Sequence, residues 1–216
     1  MRIISGERRG HKLEGPNRKA KPTSDLVRES IFNILSDTVS DRPVVDLFAG
    51  TGALGLEALS RGASQAIFVE RDRGNAEVIR RNISHLRYED RSTVLMSDAY
   101  KWAKTGEISS AVPMVVFVDP PYRDYENQAK RLSGVIANLM ARLPQESMVV
   151  VEGPEHGAAE CLNEGVEWDV RYYGGTMIAV GQVPGPAASE EARATEPGPA
   201  VSEDVLPAEP LDSNLT

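Results

Sequence analysis

The stretch Asp119-Pro120-Pro121-Tyr122 carries residue types suited to chemistry on a flat heterocycle. Its two prolines fix φ and keep the chain extended, which presents Asp119 and the nearby carbonyls as fixed acceptors. The Tyr122 ring is then left to stack on a planar base, an interaction worth about 1–3 kcal/mol. An exocyclic amine of a nucleobase is a weak nucleophile because its lone pair is delocalised into the ring. It must be oriented toward an electrophile, with acceptors holding its two hydrogens while positive charge develops. Asp119 and the Pro120 carbonyl meet that need. The bland alternative, a rigid turn at a strand exit, explains the prolines but not the aromatic residue that follows them.

A second cluster of candidates surrounds the glycine-rich run Asp46-Leu47-Phe48-Ala49-Gly50-Thr51-Gly52-Ala53-Leu54-Gly55. Gly50, Gly52 and Gly55 match a dinucleotide-binding fingerprint between a strand and a helix. A tight turn alone would also favour glycine, because it needs positive φ. Glu70, 18 residues beyond Gly52, ends the next strand. A carboxylate there can accept hydrogen bonds from both hydroxyls of a ribose. NAD and S-adenosylmethionine both contain adenosine, so these features do not separate them. Asp46 favours S-adenosylmethionine, since a carboxylate there repels a pyrophosphate and suits a cationic amino-acid group. Asp98, within Ser97-Asp98-Ala99, offers an acceptor for an adenine amino group and can equally cap a helix.

These residues need a frame that brings strand ends together. Buried strands are expected at 44–48, 65–70, 93–96, 114–118 and 148–151, and two more at 170–173 and 177–180 flank the Gly174-Gly175 turn. Helices are expected at 53–61, 73–85 and 132–143, and an earlier one is capped by Asp25, with Val27, Ile31, Ile34 and Leu35 as its apolar face. The alternation predicts an α/β fold, a doubly wound, mostly parallel seven-stranded sheet with an antiparallel C-terminal hairpin that supplies at least one antiparallel edge strand. In such sheets ligands bind beyond the carboxyl ends of the strands, where the candidate acids lie.

Charge is divided unevenly along the 216 residues, whose net charge is −8. Residues 1–21 hold seven bases and two acids, a local +5, whereas 184–216 hold seven acids against Arg193 alone. A local basic patch attracts a polyanion whatever the global sum. Residues 1–22 are expected to form a basic strand-and-loop extension, and 23–183 the catalytic domain. The acidic, proline-rich 184–216 lacks aromatic residues to bury and is expected to be disordered. The single cysteine, Cys161, excludes a disulfide scaffold, and the longest apolar run, near 112–118, is too short to span a bilayer. The start lacks the apolar core of a signal peptide, so a cytoplasmic location without a membrane partner is expected. His11, His85 and His156 have no metal-like spacing, and no metal is expected.

Several motifs in order make the chain resemble a known family. Arg9-Gly10-His11-Lys12-Leu13, Pro22-Thr23-Ser24-Asp25-Leu26-Val27-Arg28-Glu29-Ser30-Ile31-Phe32-Asn33, the run from Asp46 to Gly55, Arg61-Gly62-Ala63, Asp119 to Tyr122 and Tyr173-Gly174-Gly175-Thr176 are similar to those of the bacterial small-subunit ribosomal RNA guanine-N2-methyltransferases. These belong to the class I S-adenosylmethionine-dependent methyltransferases. The resemblance covers roughly residues 1–183. It implies methyl transfer to the exocyclic amine of one guanine in small-subunit ribosomal RNA or an assembling small subunit. By the same resemblance, Asp46, Phe48, Gly50, Gly52, Glu70, Arg71, Asp98, Ala99 and Thr23 would serve S-adenosylmethionine, and Asp119, Pro120, Pro121 and Tyr122 the target base. Arg2, Arg8, Arg9, Lys12, Lys19, Lys21 and Arg28 are the RNA-backbone candidates. His11 departs from the arginine or lysine usual there, and the acidic tail lies outside the pattern. Other readings are an amino-methyltransferase of adenine N6 or cytosine N4 in DNA or another RNA, a nicotinamide-dependent oxidoreductase, and a non-catalytic RNA-binding assembly factor.

Overall fold

Short β-branched runs bounded by glycine, proline or acids build the sheet, as expected for strands covered on both faces. The computed structural model describes residues 1–15, 24–108 and 111–184. Its strands are β1 (Pro43–Leu47), β2 (Gln65–Glu70), β3 (Ser92–Met96), β4 (Val115–Val118), β5 (Met148–Pro154), β6 (Trp168–Tyr173) and β7 (Thr176–Gln182). They form one sheet in the order β3-β2-β1-β4-β5-β7-β6. Pairing is parallel from β3 through β5, and β7 runs antiparallel to both β5 and β6. The C-terminal hairpin is antiparallel and closes the edge of the sheet as expected, with β7 inside and β6 outermost. The Gly174-Gly175 turn fixes the hairpin but not which of its strands pairs with β5.

Alternation along each strand divides the core. Val44, Phe68 and Phe117 pack with Ile31, Leu56 and Ile79, which come from α1 (Asp25–Leu35), α2 (Ala53–Ser60) and α3 (Arg73–Leu86). Val45, Leu47, Val116 and Val118 face the other way, onto α4 (Ala99–Thr105) and α6 (Ala129–Arg142) through Trp102, Leu132, Ile136 and Leu139. Period-two strands thus meet period-3.6 helices on both sides. Phe117 is fully buried with its ring centroid 5.7 Å from that of Phe32. Truncating it to alanine would cost about 3–5 kcal/mol.

Two local expectations change. The α1 cap is Ser24, whose hydroxyl accepts from Val27 N at 3.2 Å, so Asp25 is the first helical residue. Both residue types suit the position, and local sequence does not choose between neighbours. A short helix, α5 (Tyr122–Asn127), begins directly after Pro121. Six residues are too few to display a periodicity.

The described part of the basic extension is stitched onto α2. Arg2 and Lys12 form an antiparallel bridge, and Ile3 and Leu13 are buried in the core on the α1–α3 side. Ile4 N and Ser5 N donate to the Glu57 carboxylate at 2.7 and 2.9 Å. Glu7 N and Arg8 N donate to the Ser60 carbonyl and hydroxyl, and that hydroxyl donates to Ser5 O. Gly6 has φ +84°, and a Cβ there would lie 1.7 Å from Ser60 O. Only glycine allows this approach. Cys161 is buried, and no described helix is long and apolar enough to cross a membrane. The tail expectation falls on residues that, beyond Pro184, lie outside those described.

Candidate active site

Register assembles the site. Leu47 pairs with Val69 and Val118, so Phe48, Glu70 and Asp119 leave the sheet at one level. Glu70 pairs with Met96, which puts Asp98 two residues past the same edge. With Asp46, which precedes Leu47 in β1, four distant segments thereby bring acids to the carboxyl edge.

Two of those acids string the loop between β1 and α2. Glu70 accepts from Gly50 N at 2.8 Å and Asp72 N at 2.7 Å. Asp46 accepts from Gly55 N at 3.0 Å and is only 2% exposed. Burial pushes the Asp46 carboxyl well above its usual range, the Gly55 hydrogen bond opposes this, and the charges of Asp119 and Glu70 push it further. Burial likewise raises the Glu70 carboxyl against the pull of its backbone hydrogen bonds. The glycines divide the labour. A Cβ on Gly50 would meet nothing nearer than Phe48 O at 3.9 Å, so that side of the loop is open. A Cβ on Gly55 would lie 2.4 Å from the Phe68 ring, so this position lets the helix sit on its strand.

The flanking candidates fall around this loop. Phe48 leaves β1 with φ +63°, and its ring meets Tyr100 edge-on at 5.3 Å. Tyr100 donates to Asp124 at 2.8 Å and lies under the Arg131 guanidinium. These three supporting residues carry no signal in the sequence, because their contacts span the α4, α5 and α6 elements. Asp98 caps α4 by accepting from Lys101 N at 3.1 Å, while its other oxygen lies 3.7 Å from Arg71. Ala99 is buried beside it.

Asp119 is half-buried and Pro120 buried, and Pro121 caps α5 with its carbonyl accepting from Asp124 N at 2.7 Å. Tyr122 is half-buried, its hydroxyl 2.9 Å from Thr176 Oγ1 on β7. Burial raises its phenol, which keeps the hydroxyl protonated. Thr176 thus anchors the hydroxyl end of Tyr122, a role invisible from spacing because 54 residues separate them.

The basic candidates separate. Arg2, Arg9 and Lys12 are exposed, and Arg8 is half-buried with its guanidinium 5.8 Å from the Tyr88 ring centre. Arg28 is a correction: its side chain has 0% exposure, so it cannot reach an RNA backbone. It donates to Arg2 O at 2.6 Å and Asp25 at 2.9 Å, and its Nε lies 3.8 Å from Glu57. It is an internal strut between α1, α2 and the extension. Thr23, Lys19 and Lys21 lie outside the described residues. Among the described residues, no group of three or more His, Cys, Asp or Glu could hold a metal.

A family model described as "Conserved hypothetical protein 95" matches residues 1–182. The chain belongs to this family. The Bacillus subtilis protein YlbH is 32% identical over 182 residues, covering 83% of this chain and 97% of its own length. Ribosomal RNA small subunit methyltransferase D of Escherichia coli is 42% identical over 125 residues, covering 57% of this chain and 61% of that protein. The solved structure of YhhF from Escherichia coli aligns with a TM-score of 0.71 at 31% identity, covering 85% of this chain and 98% of that one. The alignment with YhhF shows that this fold is shared with a relative of known structure.

Proposed function

We propose that this protein transfers a methyl group from S-adenosylmethionine to the exocyclic N2 amine of a guanine in small-subunit ribosomal RNA. The carrying observation is the convergence of Asp119-Pro120-Pro121-Tyr122 with the desolvated acids Asp46 and Glu70 at one sheet edge. The name of the Escherichia coli relative supports the substrate class.

The residues fit the cofactor. Mutually repelling, desolvated carboxylates are poised for a cation and are hostile to a pyrophosphate. The open side of Gly50 gives backbone access. Asp46 and the glycine loop would hold the methionine end, Glu70 the ribose, and Asp98 with Ala99 the adenine. When bound, S-adenosylmethionine supplies an electrophilic methyl group on a sulfonium. Tyr122, its hydroxyl anchored on Thr176, stacks on the target base. Asp119 and the Pro120 carbonyl accept the two N2 hydrogens and turn the lone pair toward the methyl. The amine loses its proton only after it becomes cationic, so no strong base is required. The base must leave its stack to be reached, so continuous duplex RNA is a poor substrate. Exposed Arg2, Arg9 and Lys12, with Arg8 beside them, contact phosphates and position the RNA without reading its sequence.

The test is incubation of small subunits lacking the modification with labelled S-adenosylmethionine, followed by nucleoside mass analysis. N2-methylguanosine is the expected product. N6-methyladenosine would move the enzyme to another branch, and RNA binding without incorporation would leave an assembly factor.

A further inference from the structure

A second concavity lies beside the tyrosine of the base-binding motif. It is a cleft of about 480 Å³ lined by Tyr122, Tyr125 and Glu126 of α5, by Pro154 to Gly157 at and after the end of β5, and by Gly175 of the hairpin turn. None of Asp46, the glycine loop, Glu70, Asp98 or Asp119 lines it, so only Tyr122 is shared with the site described above. Its walls are tied together: Glu155 N donates to Gly175 O at 3.0 Å, Tyr122 bonds Thr176, and the Tyr125 hydroxyl donates to Glu152 O at 2.5 Å. A Cβ on Gly157 or Gly175 would meet nothing within 4 Å, so both backbones border open space.

The lining is specific in its chemistry. Among the described residues it offers the aromatic ring of Tyr122 and an exposed His156, two exposed carboxylates, Glu126 and Glu155, and no lysine or arginine. Such a cleft disfavours a phosphate and suits a flat, uncharged ring that carries N–H donors at its edge. Single-stranded RNA presents such rings in succession, one nucleotide apart along the backbone.

We propose that this cleft receives the base of one immediate neighbour of the target guanine, with preference for a base bearing an exocyclic amine. The neighbour stacks on His156 or the outer part of Tyr122, and Glu155 or Glu126 accepts from its amine. The second base helps to pin the strand, so the target amine stays aligned with Asp119. This rests on the proposed RNA methyl transfer and adds a determinant of which guanine is chosen.

The experiment uses the full chain and short RNA hairpins that present the target guanine in a loop. In separate hairpins each neighbour is made abasic or replaced by uridine. Loss of one particular neighbour's base is expected to lower kcat/KM by about tenfold, the scale of one stacked base. Uridine there should cost a smaller part of that factor. The double variant Glu155→Gln, His156→Ala should lose a similar factor on the intact hairpin and nothing more on the abasic one. Its melting temperature and S-adenosylmethionine affinity should match the parent's, because both residues are exposed. Equal turnover on intact and abasic hairpins, or an equal loss by the variant on every hairpin, would overturn the subsite. Where only particles are turned over, the same neighbour substitutions are made in the RNA of reconstituted small subunits and read in the same way; failure to methylate hairpins and particles alike would instead overturn the underlying methyl-transfer reading.

Discussion

The two ends of α2 use buried carboxylates in opposite ways. At its start, Asp46 has, among the described residues, one hydrogen bond and no basic neighbour, and the charges of Asp119 and Glu70 are close enough to raise its pKa further. Near its end, Glu57 is fully buried too, yet it receives Ile4 N, Ser5 N and Arg61 Nε, with Arg28 Nε at 3.8 Å. The first arrangement gives Asp46 no described cation to offset its charge, which is the condition for a cationic ligand to complete it. The second is completed by the protein itself and holds the basic extension in place. Burial of an acid alone does not mark function; the absence of protein cations around it does.

The sharpest way to break this contrast is Glu57→Ala. Removing one partner of a buried ion pair costs about 3–5 kcal/mol. With a shift of about 2–4 °C per kcal/mol for a domain this size, the melting temperature should fall by roughly 10 °C. A fall of only a degree or two in calorimetry would show that the seam contributes little. Next, Asp119→Ala should lower kcat by about 10²–10³-fold, the loss seen when one preorganised polar group is removed from a reacting centre. Cofactor affinity by calorimetry should stay within about threefold; an equal loss there would contradict the separation of base-holding from cofactor-holding acids.

Asp46→Asn keeps an acceptor for Gly55 N but removes the charge. Above the ordinary aspartate value of about 3.9, the folded state holds the Asp46 proton more tightly than the unfolded chain. Stability is therefore lost as pH rises from that value through the raised folded one, and it stays lower beyond. The ligand-free variant should melt above the parent near neutral pH and lose that advantage in acid, while the melting shift given by S-adenosylmethionine should largely vanish. A variant less stable than the parent at every pH would show that the charge is already compensated. The smallest effect is expected at the seam's outer face. Arg9→Ala should weaken RNA binding a few-fold and reduce the slope of log affinity against log salt by about 1. An unchanged slope would remove this residue from the interface.

Legibility in the sequence followed the range of the interaction. The strand run Val115–Val118 is continuous and apolar, Val44–Leu47 is broken only by Asp46, and the glycine loop declares itself by spacing, so the sheet and its carboxyl edge could be read locally. The burial of Arg28 could not. Its neighbour Asp25 is visible, but the extension and Glu57 that enclose it meet it only in the fold. Thr176, Tyr100 and Asp124 were missed for the same reason, since each acts through a partner on another element. The place of β7 inside the sheet depends on which hairpin strand finds β5, a choice that turn residues do not encode.

Position 6, where the extension passes so near the Ser60 carbonyl, separates two contributions that are usually entangled. A methyl group added there leaves every positive side chain in the sequence while prising its platform off the helix. Long-range attraction of a polyanion would survive such a change, whereas the fixed spacing between the anchored strand and the reacting centre would not. One small substitution could therefore distinguish a protein that merely gathers its substrate from one that measures it.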